Sequence, residues 1–451
     1  MTATELRAVL SLAGIFAMRM IGLFMVMPVM AIYGRQLIDA TPGRIGMAIG
    51  VYGLTQALLQ IPIGRWSDRV PRKPVIVAGL ILFVLGAVVA ALSTSIWGVI
   101  AGRALQGAGA ISAVALALLA DLTREEQRTR AMAVVGMTIG LSFTAAFILG
   151  PLIAGHFGLS GLFWATAGMA LVGVFLAVWA VPQPQVPPHA DPSRRLVPLS
   201  RLLVNTELAR LNFGVFTLHL VMASSWLLVP SWLVRAHLPV SHHASVYLPV
   251  MLLAFMAVVP FIIVAEKRRR MKQMFAMAVA TMFLSLVLLA LWHTTLMAIV
   301  LGLFIYFMAF NLLEALLPSL VSKIAPAGTK GAAMGIYSTW QFMGPALGGS
   351  LGGALLGAHV SGGVIVGIGA ALVAIWGVLA LTMRQPPYLN NAILHLQGQA
   401  LHNPQAALQQ LRGSELIAEA VLVEAEGLIY LKADKQRLVD TGGLPGHLVW
   451  I

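Results

Sequence analysis

The chain has 451 residues, 59% of them hydrophobic and only 10% charged, with a net charge of +13 and no cysteine. A soluble domain carries about 25% charged residues, so an ordinary soluble protein is excluded. The lack of cysteine excludes disulfides, thiolate metal sites and cysteine nucleophiles.

Apolar runs of roughly 20 residues recur along most of the length, each long enough to cross a bilayer core of about 30 Å. The chain therefore reads as an all-α polytopic membrane protein whose first partner is the lipid bilayer. The opening run, 9–33, is too long for a signal peptide and has no small-residue cleavage signature, so it is expected to be retained. Further spans are expected at 45–64, 74–93, 96–120, 131–154, 161–181, 211–234, 245–265, 272–291, 295–322, 331–357 and 361–383. Twenty Lys and Arg residues fall on one side of this layout (Arg7, 65–73, 124–130, 194–210, 267–272, 323–330, Arg384) and three on the other (Arg35, Arg44, Arg235). Such a bias puts the basic side and both termini in the cytoplasm. The positive charge is thus an orientation signal, and no nucleic-acid partner is expected.

The proline-rich segment 182–210 separates two sets of six spans, giving halves at 1–181 and 211–387. The halves echo each other. "PIGRWSDRVPRK" follows span 2 and "PFIIVAEKRRRMK" follows span 8, so that Pro62 meets Pro260, Asp68 meets Glu266 and Arg72 meets Arg270. Two parallel repeats of six spans are the plan of one large class of secondary transporters.

Three stretches carry a closer resemblance. "GRWSDRVPRK" (64–73), "RALQGAGA" (103–110) and "GLSFTAAFILGPLIAG" (140–155) resemble the signature loop, the span-4 signature and the Gly-Pro antiporter motif of the major facilitator superfamily. "RMIGLFMVMPV" and "NLLEALLPSL" resemble its YajR-type branch of drug:proton antiporters, which ends in a ferredoxin-like domain. One departure is Pro71, where the family usually has glycine; it stiffens the loop just before a helix start. The resemblance implies a major facilitator fold of twelve transmembrane helices in two six-helix bundles. It also implies that Gly64, Asp68, Arg69, Arg72 and Lys73, with Glu266 and Arg270 in the repeat, form a conformational latch. In that latch the acid joins a charge cluster across the halves, in part at a helix N-terminus. Pure topology signalling would explain the cations but not Asp68. Gly140, Gly150, Pro151 and Gly155 make up the antiporter motif, although close packing alone also accounts for small residues there and in span 11.

Inside the spans, charge is scarce. Arg19, Arg103 and Glu314 are the formally charged side chains there, and His219 is the one deep histidine. A charge near mid-membrane costs about 2.5–3.5 kcal/mol on insertion scales, so each is a candidate for function. Glu314 and His219 both lie about eight residues from the basic side, roughly 12 Å deep, so they could meet or share a cavity. A carboxyl and an imidazole so placed suit reversible protonation; the alternative is a fixed structural pair. Arg19 and Arg103 stay charged at any useful pH and would tune a carboxylate or hold a solute. The resemblance adds that the span-4 arginine, here Arg103, is implicated in proton movement. Tyr52, Gln56 and Gln60 mark one polar face of span 2, either lining a cavity or bonding a neighbouring helix. Asn311 shares the face of Glu314.

From 388 to 451 the spans stop. "AILHLQ", "PQAALQQLR", "AEAVLVE" and "GLIYLKA" read as strand, helix, strand and strand of a small α+β ferredoxin-like cytoplasmic domain, with "DTGGLPGHLVWI" a poor second helix. Metal-carrying relatives of that fold use paired cysteines, so no metal is expected, and no cofactor; the tail is a candidate for an unknown cytoplasmic ligand. The sequence reads as a proton-coupled efflux antiporter of a small amphipathic or drug-like solute working by alternating access in an inner membrane. Protons, a small-molecule substrate and the bilayer are its partners. Its rivals are a proton-coupled uptake symporter and a membrane sensor read through the tail. Enzyme chemistry is the weakest reading, because "GAGAISA" lies inside a span with no strand before it.

Overall fold

The computed structural model describes residues 1–67, 69–183, 199–326, 329–385, 390–396, 404–412, 417–423, 428–433 and 448–450. Its first half comprises α1 (Ala3–Phe24), α2 (Val26–Tyr33), α3 (Pro42–Ser67), α4 (Arg72–Leu92), α5 (Ile96–Ala108), α6 (Ser112–Asp121) and α7 (Glu125–Phe175). A short α8 (Leu199–Val204) precedes the second half. That half holds α9 (Thr206–Trp226), α10 (Val229–Arg235), α11 (His243–Lys267), α12 (Met271–Trp292), α13 (Leu296–Ile324), α14 (Lys330–Gly357) and α15 (Gly362–Thr382).

Among the described residues, ten helical runs are long and apolar enough to cross a membrane. One of these, 130–180, covers 51 residues, about 76 Å if straight and more than twice a bilayer core. It is two helices, because Gly158 takes φ 66° and ψ −169° and reverses the chain. The 28-residue α14 has the length of a span, but its eight glycines dilute its hydropathy. Each of the twelve expected spans therefore coincides with a helix or a helix pair.

Three spans are broken, and proline accounts for two of the breaks. A proline cannot donate to the carbonyl four residues before it. Pro28 releases Phe24, where α1 ends, and Pro230 releases Trp226, where α9 ends. Between α5 and α6 the break falls at Gly109, within "QGAGA".

The halves meet chiefly through α3 and α14. Both helices are stripped of side chains along the shared face. A methyl group on Gly46 would stand 2.7 Å from Cα of Gly353, one on Gly349 2.8 Å from the Gly46 carbonyl oxygen, and one on Gly53 2.5 Å from that of Phe342. These contacts involve 42–53 of α3 and 342–357 of α14, the ends farthest from the basic loops. At that far end Arg35 Nη2 also reaches Ser231 Oγ at 3.4 Å, and α2 packs on α10. Toward the basic end the same helices separate: Gly331 and Gly335 have nothing within 4 Å of a would-be methyl, and Gly64 has only Ala113 of its own half at 3.9 Å.

Between these levels lies a layer of aromatic rings drawn from both halves. Phe143 stacks on Phe310 at 5.3 Å and meets Phe24 at 4.8 Å, while Phe147 meets Trp226 at 4.3 Å. Each such pair adds about 0.5–1.5 kcal/mol beyond area burial. The layer closes the bundle on the far side of its middle.

The tail contains β1 (Asn390–Leu396), α16 (Pro404–Arg412), β2 (Ile417–Val423), β3 (Leu428–Ala433) and β4 (Leu448–Trp450). They form an antiparallel sheet in the order β2-β3-β1-β4, with Asn390 opposite Ala433 and Leu394 opposite Trp450. The "LVW" of the expected poor helix is a strand, and residues 434–447 lie outside the described residues.

If the glycine face holds the far end shut, Gly353→Leu should wedge it open. In this cysteine-free chain, a single Ser350→Cys is then expected to react faster with a membrane-impermeant maleimide. Gly136→Ala, at a position with nothing within 4 Å, should leave the rate unchanged. Equal rates in all three backgrounds would show that the contact does not hold the end closed.

Candidate functional site

In the second half the structure brings His219 and Glu314 together. His219 Nε2 on α9 stands 3.4 Å from Glu314 Oε1 on α13, an ion-pair distance without hydrogen-bond alignment. The other ring nitrogen, Nδ1, bonds the Val215 carbonyl one turn back at 3.0 Å. Gln341 Nε2 of α14 lies 3.3 Å from His219 Nε2, and Phe310 presents its ring at 5.9 Å. The His219 side chain is 6% exposed and that of Glu314 30%, while the Glu314 Oε1 that faces the histidine is itself buried. Phe310, one turn earlier on α13, stacks on Phe143 of the first half. Glu314 shares the face of α13 that carries Phe310, one turn nearer the basic end. Asn311 is half-buried beside it. On the far side of the pair, Ser225 and Tyr306 line a cavity with about 10 Å³ open to the centre of a water, room for one molecule.

The first half solves a different problem, two buried cations. Arg19 of α1 donates to Tyr52 Oη at 3.0 Å and to Gln56 Oε1 and Ser112 Oγ. Arg103 of α5 donates to Gln106 Oε1 at 3.0 Å and to the Ala48 carbonyl at 3.4 Å, with its guanidinium 4.7 Å from the centre of the Tyr52 ring. Tyr52 thus serves both arginines, one through its hydroxyl and one through its π face. Gln56 Nε2 passes the chain on to Gln60 Oε1 at 3.2 Å. Tyr52, Gln56 and Gln60 are at most 2% exposed, so this face does not line a cavity here; it points into its own half and satisfies Arg19. The span-4 motif has a local logic too: Arg103 and Gln106, three apart, share one helix face.

Of the latch residues, Asp68 and the side chain of Glu266 lie outside the described residues. Arg72 Nε pairs with Asp121 Oδ2 of α6 at 3.3 Å. Lys73 Nζ donates to the carbonyls of Val178 and Val181 at 2.8 and 2.9 Å, and Arg7 to those of Trp179 and Ala180. These cations cap the end of span 6, where unsatisfied carbonyls and the helix dipole favour positive charge. Glu5 and Arg124 close the same end at 2.9 Å. Arg69 and Arg270 are exposed.

In the antiporter motif, close packing is present at Gly150, whose methyl would meet the Met25 carbonyl oxygen at 2.6 Å. It is absent at Gly140 and Gly155, where nothing lies within 4 Å, and Pro151 continues the helix. In α14 the expected packing is complete: Gly344 lies on Phe216 and His219, Gly348 on Leu220, Gly352 on Ser224, and Gly349 and Gly353 on α3. Gln341 was not singled out from sequence. Its signal was available, as the lone amide in the run "STWQFMGPALGG". No group of three or more His, Asp or Glu side chains able to hold a metal converges among the described residues.

This arrangement, with two bundles joined by small-residue faces, buried cations in one half and an acid in the other, is that of a membrane transporter. Residues 12–349 match the Major Facilitator Superfamily model, and the chain belongs to that family. It is 46% identical over 437 residues to the inner membrane transport protein YajR of Escherichia coli (strain K12), covering 97% of this chain and 96% of that one. A shorter match, 31% identical over 140 residues (30% of this chain, 34% of the relative), is to a class E tetracycline resistance protein of Escherichia coli. Among solved structures, a bacterial homologue of the human lysosomal transporter Spinster, in an inward-facing and occupied conformation, superimposes with a TM-score of 0.67. The identity is 14%, with 86% of this chain and 98% of that one covered. Transport, not enzyme catalysis, is what this family does.

Because Gln56 accepts from a buried guanidinium and Gln60 only ends the chain, their losses should differ. Gln56→Leu is expected to destabilise the detergent-solubilised protein by about 1–3 kcal/mol, the cost of an unpaired buried polar group. Gln60→Leu should cost less. Thermal unfolding checks the order; equal losses would mean that Arg19 does not depend on this acceptor.

Proposed function

We propose that this chain is a proton-coupled secondary transporter, an efflux antiporter for a small amphipathic solute. It works by alternating access in an inner membrane, with its basic end and both termini in the cytoplasm. The observation that carries the reading is Glu314. Among the described residues it is the one acid in the middle of a crossing helix, paired with an imidazole and one turn from the Phe310 ring that stacks on the first half. A bare carboxylate enclosed in the bundle costs several kcal/mol unless it is compensated. A carrier whose Glu314 is either protonated or neutralised by a bound solute can close around it; one with the free charge resists closing. Exchange of proton for solute follows from that single rule. Arg19 and Arg103, bonded to acceptors of their own half, set the positive potential of the opposite wall without taking up or releasing protons themselves.

Antiport over symport draws support from the Gly150-Pro151 pair of the antiporter motif and from the relative that is a tetracycline resistance protein. Asp68 and Glu266 form the latch in this reading: the signature loops engage when the cytoplasmic end closes. The tail we assign to the ferredoxin-like class. The order β2-β3-β1-β4, antiparallel throughout with a helix between β1 and β2, supports this, and a cytoplasmic ligand is its expected role.

Glu314→Gln keeps shape and hydrogen bonding while removing the charge. In proteoliposomes, solute-driven proton flux is expected to fall by orders of magnitude, while solute counterflow without a gradient persists. Intact flux in this variant would make Glu314 a structural partner of His219 and would overturn the reading.

A further inference from the structure

We propose that Gln341 is the positioning residue that ties the charge on the His219–Glu314 pair to the α3–α14 contact; this rests on the proton-coupled reading above. The geometry confines titration to one atom. His219 Nδ1 faces the Val215 carbonyl at 3.0 Å, and a carbonyl only accepts, so Nδ1 keeps its hydrogen in both charge states. All change therefore falls on Nε2, the atom that Gln341 Nε2 approaches at 3.3 Å and Glu314 Oε1 at 3.4 Å.

With the ring neutral, Nε2 is a lone pair and accepts a hydrogen from the Gln341 amide. With the ring protonated, Nε2–H is a donor aimed at the carboxylate, and the same amide NH₂ now faces a hydrogen. Gln341 must then turn its carbonyl inward or withdraw. Either response changes the contact of α14 with α9 at this level. The two helices are in backbone contact one turn on, where a methyl on Gly344 would meet His219 Cβ at 2.8 Å, so slack there is small. The same α14 carries Ala346, Gly349 and Gly353 against α3, five to twelve residues beyond Gln341, about 7–18 Å along the axis. A packed helix moves as a unit, so a shift at Gln341 arrives at the contact between the halves without a relay of side chains.

Among the described residues, the other titratable groups against the pair are Tyr306 on α13 and Tyr337 on α14, phenols whose ordinary range lies far above neutrality. α15, also packed on α9, has no titratable side chain within Gly362–Thr382. From the first half, the ring of Phe143 faces this region.

The test uses full-length protein in liposomes with Ser350→Cys as a reporter beside Gly50. Its maleimide rate is followed between about pH 5 and pH 8, and a change of about threefold or more is expected. In Gln341→Met, which keeps the volume and loses the amide, the rate should become flat with pH; Glu314→Gln should flatten it too. If Gln341→Met keeps the parent's pH dependence while Glu314→Gln loses it, the assignment to Gln341 is wrong and the proton site stands. If Glu314→Gln keeps it as well, the proton-coupled reading fails and this inference with it. A parent with no pH dependence overturns the inference directly. Should Gln341→Met not assemble, Gln341→Asn retains the amide with a shorter reach. Flattening is expected there, and an unchanged profile would count against the proposal.

Discussion

The structure depends on a missing feature, side chains on α14. Between helices in lipid there is little hydrophobic drive, because the tails are as apolar as leucine; association rests on close van der Waals contact. Glycines supply it by letting backbones touch. In α14 they fall in two rows. Gly344, Gly348 and Gly352 seat the helix on α9 within its own half, and Gly349 and Gly353 seat it on α3 of the other half. One helix thus belongs to both bodies at the far end, and at the basic end it belongs to one.

Given that contact, the placement of charge becomes intelligible. The first half buries two arginines and gives them neutral acceptors from α3, α5 and α6, with Tyr52 shared between them, although Arg19 Nε is left without a partner among the described residues. Buried cations so compensated are rigid, and they make that half a fixed wall. The second half has an acid and an imidazole with incomplete satisfaction, at a level where the halves diverge. A titratable pair is useful only where its charge can be met by something that comes and goes. The aromatic layer around Phe143 and Phe310 separates that pair from the closed end.

Much of this was legible in the sequence, for physical reasons. Spans announce themselves by apolar length and loops by the one-sided Lys and Arg; the breaks at Pro28 and Pro230 do not, since Pro62, Pro151, Pro249, Pro260, Pro318 and Pro345 look the same and lie inside helices. Glu314 and His219 stood out because a charge in lipid is expensive, and equal depth from one face suggested their meeting. What helical spacing cannot supply is the neighbour. The polar face of Tyr52, Gln56 and Gln60 was visible, but whether it turned toward the gap or toward Arg19 depends on the rotation of α3, which is set by its glycine contact with α14. Gly140 and Gly344 look alike as letters; one faces open space and the other a histidine. Gln341 matters through a contact across 122 residues, and no local pattern marks it beyond being a lone amide in an apolar run.

The central claim is that the halves are hinged at the far end in this state and exchange which end is joined as the Glu314 site changes charge. Paired spin labels measure this directly. One pair replaces Thr41 and Ala358 across the far end; the other replaces the exposed Trp66 and Arg268 at the basic end. On acidification in liposomes, the distance distributions of the two pairs should shift in opposite directions, one lengthening as the other shortens. Distributions that stay fixed, or that widen together, would contradict the account.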